Sequence, residues 1–243
     1  MERAIGKTDV GLKRERNEDF IFCNDQGYGP LRNLYVLADG MGGHNAGNVA
    51  SELATEEFCG YVRSKDAANF TYIEDLLADA LRYANTKVHT RSSNDSACFG
   101  MGTTLTAVCY DDNNLYYAHV GDSRMYIVTK DGVLRQISRD HSLVNEMLAE
   151  GMITAEEAVD HPRRNVLVRA VGTDYAVQVD KGYHPLDNVA RILLCSDGLS
   201  DLVSDYEIAD IINNTPDLDK CAQLLINKAN EAGGNDNISV ILL

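Results

Sequence analysis

The stretch that most constrains this chain is residues 34–47, LYVLADGMGGHNAG, an apolar run that carries one acid into a glycine-rich turn. Leu34, Tyr35, Val36, Leu37 and Ala38 form a short continuous apolar run bounded by turn residues, the pattern of a strand buried on both faces. Asp39 is thereby predicted at a strand end. Glycines at 40, 42 and 43 permit positive φ and let a guest approach the backbone, so that carbonyl oxygens as well as the carboxylate can face one ligand. Oxygen donors of this kind suit a hard cation, Mg²⁺ or Mn²⁺. Taken alone, Asp39-Gly40 is equally a hairpin turn. A nucleotide loop of the usual kinds is excluded, because no Gly-Lys-Ser/Thr follows and Asn45 stands where GxGxxG needs its third glycine.

The same grammar recurs near the other end of the chain. The apolar run 191–195 ends in Ser196-Asp197-Gly198-Leu199, and Gly233-Gly234-Asn235-Asp236-Asn237 leads into a third run at 238–243. Three acids at the ends of buried strands are harder to explain as turns than one. Asp122, in Gly121-Asp122-Ser123-Arg124, is either a further acid at the same edge or the first residue of a turn. Arg14 and the Glu18-Asp19 pair stand in a dense mixture of charges just before a strand at 20–23. Such a cluster is a solvated rim unless a phosphate must be held, in which case a guanidinium offers two parallel hydrogen bonds.

Bulk properties narrow the classes. No proline-rich or low-complexity linker divides the 243 residues, so residues 1–243 read as one domain. A formal net charge of −15 argues against a nucleic-acid or anionic-membrane surface. No apolar run approaches the ~20 residues that cross a bilayer, and the first residues lack the apolar core of a signal peptide, so a cytoplasmic location without membrane insertion is expected. Six cysteines, at 23, 59, 98, 109, 195 and 221, have no zinc-type spacing and read as reduced, structural residues.

Apolar stripes at helical spacing predict helices over 49–63 and 73–88, with a loop over 94–102. Runs at 103–110 and 115–120 flank the turn Asp111-Asp112-Asn113-Asn114 and predict a hairpin, followed by a strand at 125–128. After a short helix at 143–149, apolar periodicity weakens over about 151–164, and the segment at about 145–168 reads as a flap suited to substrate selection or, equally, as a passive insertion. Ser204 with Glu207 is a capping box, and 217–232 is a last helix ended by two glycines. Long antiparallel hairpins with paired helices suggest two packed sheets with helices outside.

Taken together, Arg14 with Asn17-Glu18-Asp19, the ADGMGGH stretch at 38–44, Gly102-Thr103-Thr104, Val120-Gly121-Asp122-Ser123-Arg124, Asp140-His141-Ser142, Arg169-Ala170-Val171-Gly172, Ser196-Asp197-Gly198-Leu199 and Gly234-Asn235-Asp236-Asn237 resemble the motifs of the metal-dependent PPM protein phosphatases. This is the PP2C-type family in its compact bacterial form. The order is the family's and spans almost the whole chain. The resemblance implies an α+β fold, a four-layer α-β-β-α sandwich of two mainly antiparallel sheets, with two Mn²⁺ or Mg²⁺ ions at one end. Asp39 resembles the carboxylate bridging both ions and Gly40 a carbonyl ligand of one. Asp197 and Asp236 resemble ligands of the other, and Glu18 and Asp19 residues that act through bound waters. Asp122 with Asp197 resembles the holder of a third, weaker ion, and Arg14 the phosphate-gripping arginine.

The implied chemistry is in-line attack of a metal-activated water on phosphoserine or phosphothreonine in proteins, without a phosphoenzyme. The substrates would be targets of a bacterial Ser/Thr kinase, and the enzyme a monomer. Met41 stands where animal members carry a histidine, which leaves leaving-group protonation to a bound water or to His44. The alternatives are a pseudophosphatase signalling module, which should have lost a metal acid or Arg14, and a phosphoesterase for small phosphoesters.

Overall fold

The computed structural model describes residues 3–41, 46–159 and 161–243. In chain order its elements are β1 (Ile5–Asp9), β2 (Asp19–Asn24), β3 (Leu34–Met41), α1 (Gly47–Arg63), α2 (Ile73–Asn94), β4 (Gly102–Thr103), β5 (Leu105–Tyr110), β6 (Asn114–Val120), β7 (Arg124–Thr129), β8 (Leu134–Gln136), α3 (Leu143–Ala149), α4 (Ala155–Val159), β9 (Asp180–Pro185), β10 (Val189–Cys195), α5 (Asp197–Ser200), α6 (Asp205–Asn214), α7 (Leu218–Glu231) and β11 (Ile238–Leu242). One sheet runs β1-β11-β10-β7-β8 and the other β2-β3-β5-β6-β9, with β4 on β3. Every strand pairing is antiparallel.

Alternation within the apolar runs builds four layers. Leu34 and Val36 of β3 pack toward α1 and α2, whereas Tyr35 and Leu37 meet Met125, Ile127, Ile192 and Leu194 between the sheets. On the far side, Tyr126, Leu193, Cys195, Val240 and Leu242 pack against α6 and α7. A strand with both faces covered has no polar side, which is why 34–38 and 191–195 read as continuous apolar runs. Burying each such Leu or Val contributes about 1.5–3 kcal/mol.

The expected α-β-β-α sandwich is therefore present, and the predicted helices and central hairpin fall where periodicity put them. Ser204 caps α6 reciprocally with Glu207, and Asp217 caps α7. All six cysteines are free, five of them buried and Cys23 exposed. Three edge or near-edge strands, β1, β8 and β9, escaped the apolar reading. Their sequences, IGKTD, LRQ and DKGYHP, carry too few apolar residues to announce a strand. The region 94–102, read as a loop, holds the end of α2 and a 3₁₀ turn at Ser96–Cys98.

Candidate functional site

Both sheets end at one common edge. Asp39 near the end of β3 is paired in register with Asp19 at the start of β2. From the other sheet, Asp197 follows β10 and Asp236 precedes β11. Two details differ from expectation: β3 continues past Asp39 to Met41, and Asp197 opens the short helix α5. A cavity of about 360 Å³ results, lined by Arg14, Glu18, Asp39, Gly40, Met41, Thr104, Asp122, Asn165, Leu167, Asp197 and Asp236. Of the sequence-predicted site residues, only Asp19 and His44 are not on its wall. Asp19 is buried beneath it, and His44 falls outside the described residues.

The backbone around Asp39 is fixed by two threonines. Asp39 donates its N–H to Thr104 Oγ1 at 2.9 Å, and its carbonyl accepts from Thr103 Oγ1 and from the Thr104 N–H, both at 2.8 Å. Gly40 donates to the Glu18 carbonyl at 3.1 Å. A Cβ at Gly40 would run into the carbonyl oxygens of Glu18 and Gly47, so close packing within a strand, not positive φ, demands this glycine. That corrects the reason assigned to it from sequence. The Glu18 carboxylate in turn accepts the Gly47 N–H at the start of α1, where the helix end favours negative charge.

Asn237 ties the N-terminal loop to this edge. Its Oδ1 accepts the Glu18 N–H at 2.8 Å, while its Nδ2 donates to the carbonyls of Val10 and Arg16 at 2.9 and 2.8 Å. Under the edge, Ser196 and Ser239 hydroxyls donate to Asp19 Oδ2 at 2.8 and 2.6 Å. Arg14, half exposed, donates Nη2 to Asp236 Oδ2 at 2.6 Å.

Electrostatically the edge is under-neutralised. Burial first, then neighbouring acids, hold the carboxyls of Asp39 and Asp197 well above the ordinary carboxylate range. Asp19 is pushed up to about 6 chiefly by burial, and Asp122 to about 7 by burial and then by Asp140. Burial also raises Glu18 against the pull of Arg14. Buried oxygens normally have partners, yet Asp19 Oδ1 and Asp197 Oδ1 have none among the described residues. Divalent cations at this edge would cancel the charge and use the spare oxygens, so the residues fit such ions. Among the described residues no three His, Cys, Asp or Glu side chains gather into a closed ligand cage. Hard cations such as Mg²⁺ keep several waters and need only one or two carboxylates each, which an open edge supplies.

Sequence reasoning missed residues that act here through others. Thr104, Ser196 and Asn237 stood inside the quoted motifs without a role, and Ser239 carried no signal. Asp201 was also missed, although it lies four residues after Asp197, one helical turn on. With Asp122, Asp197 and Asn165 it lines a second, adjoining cavity of about 290 Å³, whose wall includes Arg124, Asp140, Val144, Ala158 and Arg164. Burial raises Asp201 above the usual range.

Comparison with known proteins adds independent findings. A family model described as protein phosphatase 2C matches residues 13–241. Protein phosphatase PhpP of Streptococcus pneumoniae is 39% identical over 238 residues, which cover 97% of this chain and 94% of that protein. Among solved structures, the serine/threonine phosphatase of S. agalactiae matches with a TM-score of 0.90 and 38% identity, covering 99% of this chain and 98% of that one. The catalytic domain of the serine threonine protein phosphatase PstP, in complex with two manganese ions, matches with a TM-score of 0.84 and 35% identity over 99% and 96% of the two chains.

Proposed function

The chain belongs to the protein phosphatase 2C family, and from that premise we propose that it hydrolyses phosphoserine and phosphothreonine in proteins at the edge where Asp39, Asp197 and Asp236 converge. That convergence, in one cavity with Glu18 and Arg14, is the observation that carries the reading. Two Mn²⁺ or Mg²⁺ ions would be held by Asp39 between them, by the Gly40 carbonyl on one side and by Asp197 and Asp236 on the other. Asp122 and Asp197 would serve a third, weaker ion, and Glu18 and Asp19 would act through water. The manganese pair in one solved relative supports the count of two.

Bound there, such ions supply Lewis-acid charge at the phosphoryl oxygens and lower the pKa of an adjacent water. The chain's own residues do the rest. Thr103 and Thr104 fix the Asp39 backbone before substrate arrives, so no reorganisation is needed during reaction. Arg14 releases Asp236 and turns its guanidinium to two phosphoryl oxygens, a bidentate grip that neutralises developing charge. Met41 on the cavity wall carries no proton, so the leaving alkoxide takes one from water at the edge or from His44. Retention of every acid and of Arg14 supports turnover over a pseudophosphatase role.

The wider setting belongs to the same proposal: a single domain over 1–243 with a flap at about 145–168, acting as a cytoplasmic monomer that reverses a bacterial Ser/Thr kinase. Among the described residues no helix is long and apolar enough to cross a membrane. The test is hydrolysis of a phosphothreonine peptide with Mn²⁺, with chelator and with Asp39→Asn, alongside a panel of small phosphoesters. The expected result is metal-dependent peptide turnover reduced at least about 100-fold in the variant. A decisive preference for the small esters, or full activity in chelator, would overturn the reading.

A further inference from the structure

The motif Asp140-His141-Ser142 lies outside the chemistry above, yet its three side chains each reach a different part of the Asp122 edge. Asp140, buried, accepts from Arg124 Nε and Nη2 at 3.0 and 2.8 Å, just beyond Asp122 in the chain. Ser142 caps α3, the first helix of the 143–168 segment, by accepting the Asn145 N–H. His141, also buried, clasps Gly121 from both sides: its backbone N–H donates to the Gly121 carbonyl at 2.8 Å, and its ring Nδ1 accepts the Gly121 N–H at 3.0 Å.

The tautomer follows from these contacts. Because Nδ1 accepts from a backbone N–H, the single proton of the neutral ring is on Nε2. Nε2 lies 3.2 Å from Asp180 Oδ2, the acceptor its proton faces, and 3.0 Å from Arg169 Nη1. Arg169 holds the same carboxylate through its other oxygen at 2.7 Å. The carbonyl of His141 also accepts the Val168 N–H at 2.9 Å, and Ser142 is bridged to Leu167. The His141 side chain thus joins the start of β9 to the turn before Asp122, while its backbone and that of Ser142 hold residues 167–168 alongside. That turn leaves little slack. Gly121 has φ of +113°, and a Cβ there would collide with Thr104, the residue that fixes Asp39.

We propose that His141, oriented by Asp180 and Arg169, is a positioning residue that holds the Gly121-Asp122 turn in place and thereby sets how tightly the Asp122 edge takes its divalent cation. The cation part rests on the site reading above; the clasp itself rests on geometry alone. Removing a group that orients a ligand lowers metal affinity by about 10–100-fold.

The experiment compares His141→Ala, His141→Asn and His141→Gln by two readouts: the Mn²⁺ concentration giving half-maximal phosphopeptide hydrolysis, and backbone hydrogen exchange across 121–124 in chelator. An Asn side-chain oxygen falls near Nδ1 and can take the Gly121 N–H, whereas a Gln amide falls near Nε2. The Ala and Gln variants are expected to raise the Mn²⁺ midpoint about tenfold and to speed exchange at 121–124, with Asn restoring both. A residue that merely fills space would make Asn and Gln behave alike, and that outcome overturns the proposal. An unchanged Mn²⁺ midpoint in His141→Ala overturns it too. Should the wild-type enzyme need no metal, the site reading fails by itself, and the exchange pattern still decides whether the clasp exists.

Discussion

Two adjoining cavities share Asp122 and Asp197 and treat their other acids in opposite ways. In the one under the 143–168 segment, the chain supplies its own cations: Arg124 forks onto buried Asp140, and Arg164 reaches within 3.9 Å of Asp201. In the other, Asp39 and Asp197 repel each other and Asp19 beneath them, and among the described residues lining it the one guanidinium, Arg14, is half exposed and bonds to Asp236. The difference separates acids that hold the fold from acids that wait for a ligand. Burial alone does not make that distinction; the presence or absence of an internal counter-charge does.

The sharpest way to break this comparison is to make the same substitution on both sides in the presence of chelator. Asp140→Asn leaves the mostly buried Arg124 without its counter-ion, a loss of about 3 kcal/mol. Asp39→Asn removes one of several repelling, desolvated carboxylates, so the metal-free protein should gain stability while losing activity. Denaturant midpoints of the two variants against wild type measure this. Two losses of similar size would show that the edge at Asp39 is not under-neutralised.

A smaller effect is expected from pH. Asp19 and Asp122 have folded pKa values raised to about 6 and about 7, against about 3.9 for an unfolded aspartate. The folded state therefore binds more protons than the unfolded state between those values, and stability falls as pH rises. The contribution is fully present below about 4 and is lost by about 7. In chelator the melting temperature should drop across that window, and Mn²⁺ should restore more of it at pH 8 than at pH 5. A chelated protein whose melting temperature climbs steadily from pH 4 to pH 7 would contradict the assignment.

What the sequence made legible tracks how strongly each feature depends on local pattern. The runs at 34–38 and 191–195 needed only their own apolarity to declare strands, and Ser204 with Glu207 declared a helix start. Asp39, Asp197 and Asp236 were legible because each sits beside a run whose direction points it at an edge. Strands β1, β8 and β9 were not legible, since pairing with a neighbour, not side-chain pattern, makes them strands. Asp201, Ser239 and the clasp of His141 on Gly121 depend on residues brought together from distant parts of the chain. Asp140 carries the same residue type as Asp39, and only the fold reveals that Arg124 has already claimed it.

Ser239 gives the finest test of the distinction, because it touches an acid of the edge without belonging to it. Its hydroxyl donates to Asp19 Oδ2 at 2.6 Å, and Ser196 donates to the same oxygen at 2.8 Å. Hydrogen bonds to the ionised form favour it, so Ser239→Ala should raise the Asp19 pKa further. The energetic consequence depends on which form is present. At pH 5 the carboxyl is largely protonated and the variant loses a neutral hydrogen bond to Asp19, about 1 kcal/mol, besides the 2.7 Å contact with Thr8 Oγ1 that is lost at either pH. At pH 8 it loses a bond to a charged group, about 2 kcal/mol, and the loss should persist with Mn²⁺ bound. Melting curves of wild type and Ser239→Ala at both pH values would reveal the gap. An identical loss at both would mean that Asp19 keeps one protonation state throughout, and that it belongs with Asp140 among the acids already satisfied by the fold.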